Sequence, residues 1–449
     1  MPLHTHCPPS KIYMTFPHTR CSVHLLYSVA LTTAWPALVI GQTAFMGQNY
    51  AEAPEGIINV TQLGSPSESL PVASGTKSQI VKSATGPWGR LEYFPVFMEA
   101  PLSLVEKFPI PNTRPRWAFP ASSLPQLHDF FSKAGLEESF IGTLLMKDSV
   151  VIDDDMAYLF PPLPSLEAMT SQQRTLVYSE LRKYPANEFH AEPVLITSGD
   201  VDDWFGSSKL RPEIIAKLKE YTYQRGDTLA FSDLPAVMNY AQGEEEARAM
   251  VKAFTRTRAL MVKMIVENKA DIETIMTYWT TGLNLRRKDM QPLLESIVDV
   301  GAEKIDLVHM LPPLPRKLLM TYPDPGMAKE GVYPDCHWTS LNFFNYNAQP
   351  YLLDSRLATT AVLERFNPVD APYKFGDILF FLDAQRGDAF HSCVYIADDI
   401  VFTKNGRNVL SPWIFARLED VKRVYLFDNN GRIRGYRNKN APPIVGSDD

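Results

Sequence analysis

Cys336 opens an amphipathic stretch, and that placement constrains this chain more than any other feature. Pro334 and Asp335 precede it, and Trp338, Leu341 and Phe344 recur behind it along one helical face. The pattern predicts a helix over residues 336–346 with Cys336 in its first turn. There the thiol meets the positive end of the helix dipole and free backbone amides, both of which favour the thiolate. The Cys336 amide is also placed to help stabilise an oxyanion. His337 points about 100° away on such a helix and makes a poor base for its neighbour.

Further along come Gly376-Asp377-Ile378-Leu379-Phe380-Phe381, then His391-Ser392-Cys393-Val394-Tyr395-Ile396, then Phe402-Thr403-Lys404-Asn405-Gly406. Apolar runs over 378–382, 390–397, 400–403 and 421–427 have strand length. A helix packed on an antiparallel sheet, an α+β arrangement, follows from that order. The thiol, a histidine heading a strand and a polar residue on the next strand are what a nucleophile, its base and an orienting group require. Hairpin register decides the third residue. A three-residue loop (Ala397-Asp398-Asp399) puts Asn405 opposite His391 and Thr403 opposite Cys393. A two-residue loop turns Lys404 onto that face instead. Asn405 is the better orienter, because its carbonyl can accept an imidazole N–H; Thr403 does so more weakly.

The runs Asp335-Cys336, Gly376-Asp377-Ile378-Leu379-Phe380-Phe381 and His391 with Val394-Tyr395-Ile396 resemble the NlpC family of papain-like cysteine peptidases. The resemblance covers about residues 320–427. It implies a papain-like fold, a Cys336 nucleophile, a His391 base and a polar third residue at Thr403 or Asn405. A family tyrosine near the oxyanion is matched by Tyr322, or by Tyr333. The Cys-to-His interval of 55 positions suits the family, and the order excludes its circularly permuted relatives. His337-Trp338 replaces the family's Ser-Gly, and Thr403 or Asn405 replaces its commonest histidine. The implied chemistry is acyl transfer through a thioester, with no metal or organic cofactor. The implied substrate is a peptide or a peptidoglycan-like molecule. A catalytically inactive binding or structural protein that keeps the fold, and an acyltransferase or deamidase using the same thiol, are the alternatives.

The rest of the chain reads as delivery and scaffold. A polar start with Lys11 and Arg20 precedes a largely apolar run over 21–41, the layout of a secretory signal. Residues 1–44 are thus expected to be a signal peptide, or failing cleavage a membrane anchor, and the protein to be exported to the periplasm or outside the cell. Residues 45–92 are rich in Gly, Pro, Ser, Thr and Ala and read as a disordered linker. Residues 93–325 read as a mainly helical domain of unknown role, with helices over 124–135, 170–183, 244–268, 271–281 and 288–300 and one beginning at Pro212. The papain-like domain spans 326–430, and 431–449 is expected to be a flexible tail.

A net charge of −7 and the lack of any long basic run argue against nucleic acid as a partner. Two of the four cysteines, Cys7 and Cys21, fall in the presequence. Cys336 and Cys393 could form one bridge, which would block the nucleophile. Asp153-Asp154-Asp155 and Asp200-Val201-Asp202-Asp203 lack the alternation of a calcium loop and read as turns and caps. His128, His190 and His309 have no ligand spacing.

Overall fold

A computed structural model describes residues 80–280, 286–328, 331–428 and 430–440. The expected signal, and the linker up to residue 79, lie outside the described residues. Among the described residues no helix is long and apolar enough to cross a membrane.

The protein is mixed α+β with antiparallel sheets. The upstream region is less helical than its sequence suggests. Strand β1 (Arg90–Met98) pairs along its whole length with β2 (Thr257–Ile265). The short strands Val81–Lys82 and Lys304–Asp306 flank them in a four-stranded sheet. Two three-stranded sheets lie between. Part of the expected linker is therefore strand. The helix read over 244–268 is two elements, Glu244–Phe254 and then β2. A run that is apolar on every side satisfies both periods. Here Ala259 enters one core while Leu260, Val262 and Met264 enter another. Other helices stand as expected: Leu124–Lys133, Ser171–Leu181 behind a Thr170 capping box, and Pro212–Tyr221. Asp200 caps Val201–Phe205 through its side chain, and Asp154-Asp155 forms a hairpin turn after Asp153, the last residue of a short strand.

The C-terminal part is a helix on a six-stranded antiparallel sheet. Helix α1 (Cys336–Leu341) is shorter than the expected 336–346. The strands are β3 (Phe366–Val369), β4 (Ile378–Asp383), β5 (Ala389–Ala397), β6 (Ile400–Lys404) and β7 (Trp413–Arg417). Helix α2 (Leu418–Tyr425) and strand β8 (Gly431–Asn438) complete it. The spatial order is β3-β8-β4-β5-β6-β7. Trp338 and Leu341 of α1 share a core with Phe380, Val394, Phe402 and Trp413. On the other face Leu379, Phe381, Cys393 and Val401 pack with Ala259 of β2 and Val421 of α2.

Two expectations fail here. Residues 421–427, read as a strand, lie mostly in α2. Its buried Val421 and Val424 are three apart and its charged residues take the other side, a helical period. Residues 431–438, read as a tail, form β8 in the interior of the sheet. Its arginines mask the strand signal. One of them, Arg437, makes a bidentate pair with Asp377 at 2.8 and 2.6 Å. A Cβ at Gly435 would lie 2.8 Å from the Val369 carbonyl oxygen. Gly435→Ala is therefore expected to cost about 1–3 kcal/mol in urea unfolding, by overpacking against backbone that cannot retreat.

Candidate functional site

Helix α1 begins where its cap dictates. The Asp335 carboxylate accepts the Trp338 amide at 2.8 Å, and its other oxygen pairs with Arg407 at 3.3 Å. Cys336 follows, 5% exposed. Both Cys336 and Cys393 are free thiols, so the bridge considered from sequence is not formed. The main-chain amides of Ser392 and His337 lie close enough to the Cys336 thiol to favour its thiolate. Ser392 also donates to the Cys336 carbonyl at 3.1 Å and lies 3.0 Å from the Ser340 hydroxyl. The nucleophile candidate is thus stitched to β5 one residue from His391.

His391 is completely buried. Its Nε2 lies 3.2 Å from the Thr403 hydroxyl, which also lies 3.4 Å from the Ser392 carbonyl. With the hydroxyl proton on that carbonyl, Oγ1 accepts from Nε2–H. Nδ1 is then the bare acceptor of the ring, and it is buried without a hydrogen-bond partner. Tyr425 of α2 stacks on the ring at 3.8 Å and 11°, and Phe381 meets it edge-on. Cys336 lies within electrostatic reach of Tyr425 and of Cys393.

The register that selects Thr403 matches neither loop by itself. Ala397 pairs with Ile400 across a two-residue turn, Asp398-Asp399. A bulge at Ile396 then restores the pairs Tyr395 with Val401 and Val394 with Phe402. The outcome is the side-chain alternation of the three-residue loop. Thr403 takes the His391 ring, while Asn405 lies 3.5 Å from the Tyr425 hydroxyl and lines a small cavity with Trp204, Arg258 and Asp420. Tyr322 packs against the upstream core near Glu99, its hydroxyl without a hydrogen-bond partner. The structure brings Thr403 to His391; no hydrogen bond joins Cys336 to His391, and Asn405 and Tyr322 make none to any of these three residues.

Burial suppresses charge at both Cys336 and His391. Burial, then the Asp335 carboxylate, push the Cys336 thiol up to about 12. Burial, then His337, hold His391 well below the ordinary histidine range. Both groups are therefore neutral at pH 7 in this arrangement. His337 bonds Ser392 at 3.1 Å and the Ala389 carbonyl, and stacks on Phe380, so it braces β5.

Sequence reasoning weighed Lys404 only as a register alternative and gave no role to Ser392 or Tyr425. Lys404 carried a signal, being a lysine at the end of an apolar strand. Tyr425 carried none, because its segment was read with the wrong period. Among the described residues no group of His, Cys, Asp and Glu is arranged to hold a metal ion. Comparison with protein-family models, with curated proteins and with solved structures found no match to this chain. The class defined so far is an α+β protein with a buried thiol and imidazole at the junction of a helix start and an antiparallel sheet.

Proposed function

We propose that this chain is an exported, NlpC-type papain-like cysteine hydrolase that cleaves amide bonds in peptides of the cell-wall kind. One observation carries the reading: His391 is held by Thr403 through Nε2, leaves Nδ1 as a bare buried acceptor, and is the chain neighbour of Ser392, whose hydroxyl holds the Cys336 carbonyl. In this mechanism Nδ1 takes the thiol proton and the thiolate attacks the amide carbonyl carbon. The imidazolium then protonates the leaving nitrogen, the C–N bond breaks, and a thioester remains. Water, deprotonated by His391, cleaves the thioester and restores the thiol. Capture of the thioester by another amine would make the same site an acyltransferase.

The experiment is release of new amino groups from peptide-bearing cell-wall fragments. Wild type is expected to release them and Cys336→Ala to show background only. His391→Ala is expected to fall by about 100-fold or more. Release that persists in Cys336→Ala would overturn the reading. A non-catalytic protein that keeps the fold is favoured by the Tyr425 ring stacked on a fully buried His391; absence of release by wild type would favour it.

A further inference from the structure

Three side chains form a row across the sheet beneath the first turn of α1. Trp413 of β7 is the register partner of Lys404 in β6. Continuing the Val394–Phe402 pairing by one step along the same face brings Ser392 beside Lys404. Both outer members hydrogen-bond to α1. Ser392 reaches the Cys336 carbonyl, and Trp413 Nε1 donates to the Thr339 hydroxyl at 2.9 Å. The middle member therefore lies under the same turn.

Lys404 is fully buried, and its Nζ donates to the carbonyls of Gly406 at 2.8 Å and Asn408 at 2.9 Å. Arg407 between them pairs with Asp335, so the loop that holds the amine is tied to the cap of α1. Two bonds are what a neutral amine can donate, and they leave its lone pair free to take a proton.

We infer that Lys404 is a positioning residue for Cys336, an amine that by binding a proton beneath the first turn of α1 supplies the positive charge that favours the thiolate. This rests on the reading of Cys336 as nucleophile. The thiol proton still goes to His391 Nδ1; the proton on Lys404 comes from solvent. The ionisable groups on the surrounding elements are Asp335, Cys336 and His337 of the α1 start, Arg407 of the loop, and His391 and Cys393 of β5; β7 offers only Trp413 there. Burial brings Lys404 down to about 7, against the pull of Asp335 and Cys336. Its charge thus changes in the neutral range. Lys404 in turn favours the Cys336 thiolate.

The test is alkylation of the full chain by iodoacetamide from pH 6 to 10, with the labelled cysteine located by mass spectrometry. Cys393, buried beside the site, reports any general loosening. Lys404→Met, and Lys404→Gln, which can keep both carbonyl bonds, are expected to slow Cys336 labelling about tenfold at pH 6, the loss of one favourable charge, and progressively less as the pH rises past 7 and the wild-type amine loses its proton. Lys404→Arg, charged throughout, is expected to label at least as fast as wild type across the range. Superimposable wild-type, Met and Gln profiles would overturn the inference. So would failure of both uncharged variants to fold, an Arg variant that behaves like Met, or equal slowing at Cys393. A different result condemns the underlying reading: wild-type Cys336 labelling that His391→Ala does not slow.

Discussion

Trp413→Ala is expected to lower stability by about 3–5 kcal/mol in urea unfolding and to change Cys336 alkylation in the same protein. Removing a fully buried large aromatic loses both transfer energy and packing, and costs that much when the site cannot collapse. Collapse is prevented on three sides. The indole lies 6.4 Å from Trp338 of α1 and holds Thr339 through Nε1. Its main chain exchanges bonds with Met320 and Thr321 of the incoming segment. Lys404 lies 5.9 Å from its ring, within cation–π range. Trp413→Phe keeps most of the apolar area but drops the Nε1 bond. Thr339 Oγ1 retains its bond to the Asp335 carbonyl at 2.6 Å, so the loss there should be nearer 1–2 kcal/mol. If the alanine variant unfolds within 1 kcal/mol of wild type, the first turn of α1 is not anchored through Trp413.

The same residues show what the sequence disclosed. The helix start at Asp335-Cys336 was legible because a cap and an apolar face are local signals. Gly376 and Asp377 were legible as a motif, though not their work. Gly376 has positive φ against the Phe344 ring, and Asp377 clamps Arg437 of β8. Thr403 and Asn405 could not be separated, because a bulge in β5 cancelled the effect of loop length. A bulge has no sequence rule as firm as a turn's. β8 was hidden since an interior strand bearing four charged or amide side chains looks like a polar tail. Its charges reach out of the sheet or into pairs. The cover over His391 was the least legible feature. It depends on α2 folding back across the face of the sheet, a tertiary fact. The Phe427 ring, just past α2, lies within 4.7 and 4.0 Å of the Arg182 and Arg225 guanidinium groups, so distant upstream residues help fix that cover.

Acid should destabilise this protein through its buried histidines, and His391 should account for a separable part. Burial lowers His190 to about 3 and holds His391 and His337 below their ordinary value. The unfolded chain binds protons at these groups near pH 6.5, whereas the folded chain does not. The unfolded state thus carries more protons as pH falls, and stability drops with it. The contribution is fully present above pH 6.5 and is lost downward from there toward each folded value. Each withheld proton costs about 1.4 kcal/mol per pH unit in that window, so His190 by itself costs about 3 kcal/mol at pH 4.5. Asp233, Asp420 and Glu188 are raised by burial and act in the opposite sense, gaining stability on acidification. Subtracting a variant from wild type removes them. His391→Phe keeps a ring under Tyr425 and is expected to flatten the fall in unfolding free energy just below pH 6.5 by close to one proton. His190→Phe should flatten it further down, to about pH 3. Parallel curves for wild type and His391→Phe would mean that His391 takes up its proton in the folded state. That outcome would also bear on chemistry. In the proposed acyl transfer an imidazolium must form at His391, and burial under Tyr425 resists it. The proposal therefore requires α2 to yield, or substrate to supply a partner at Nδ1.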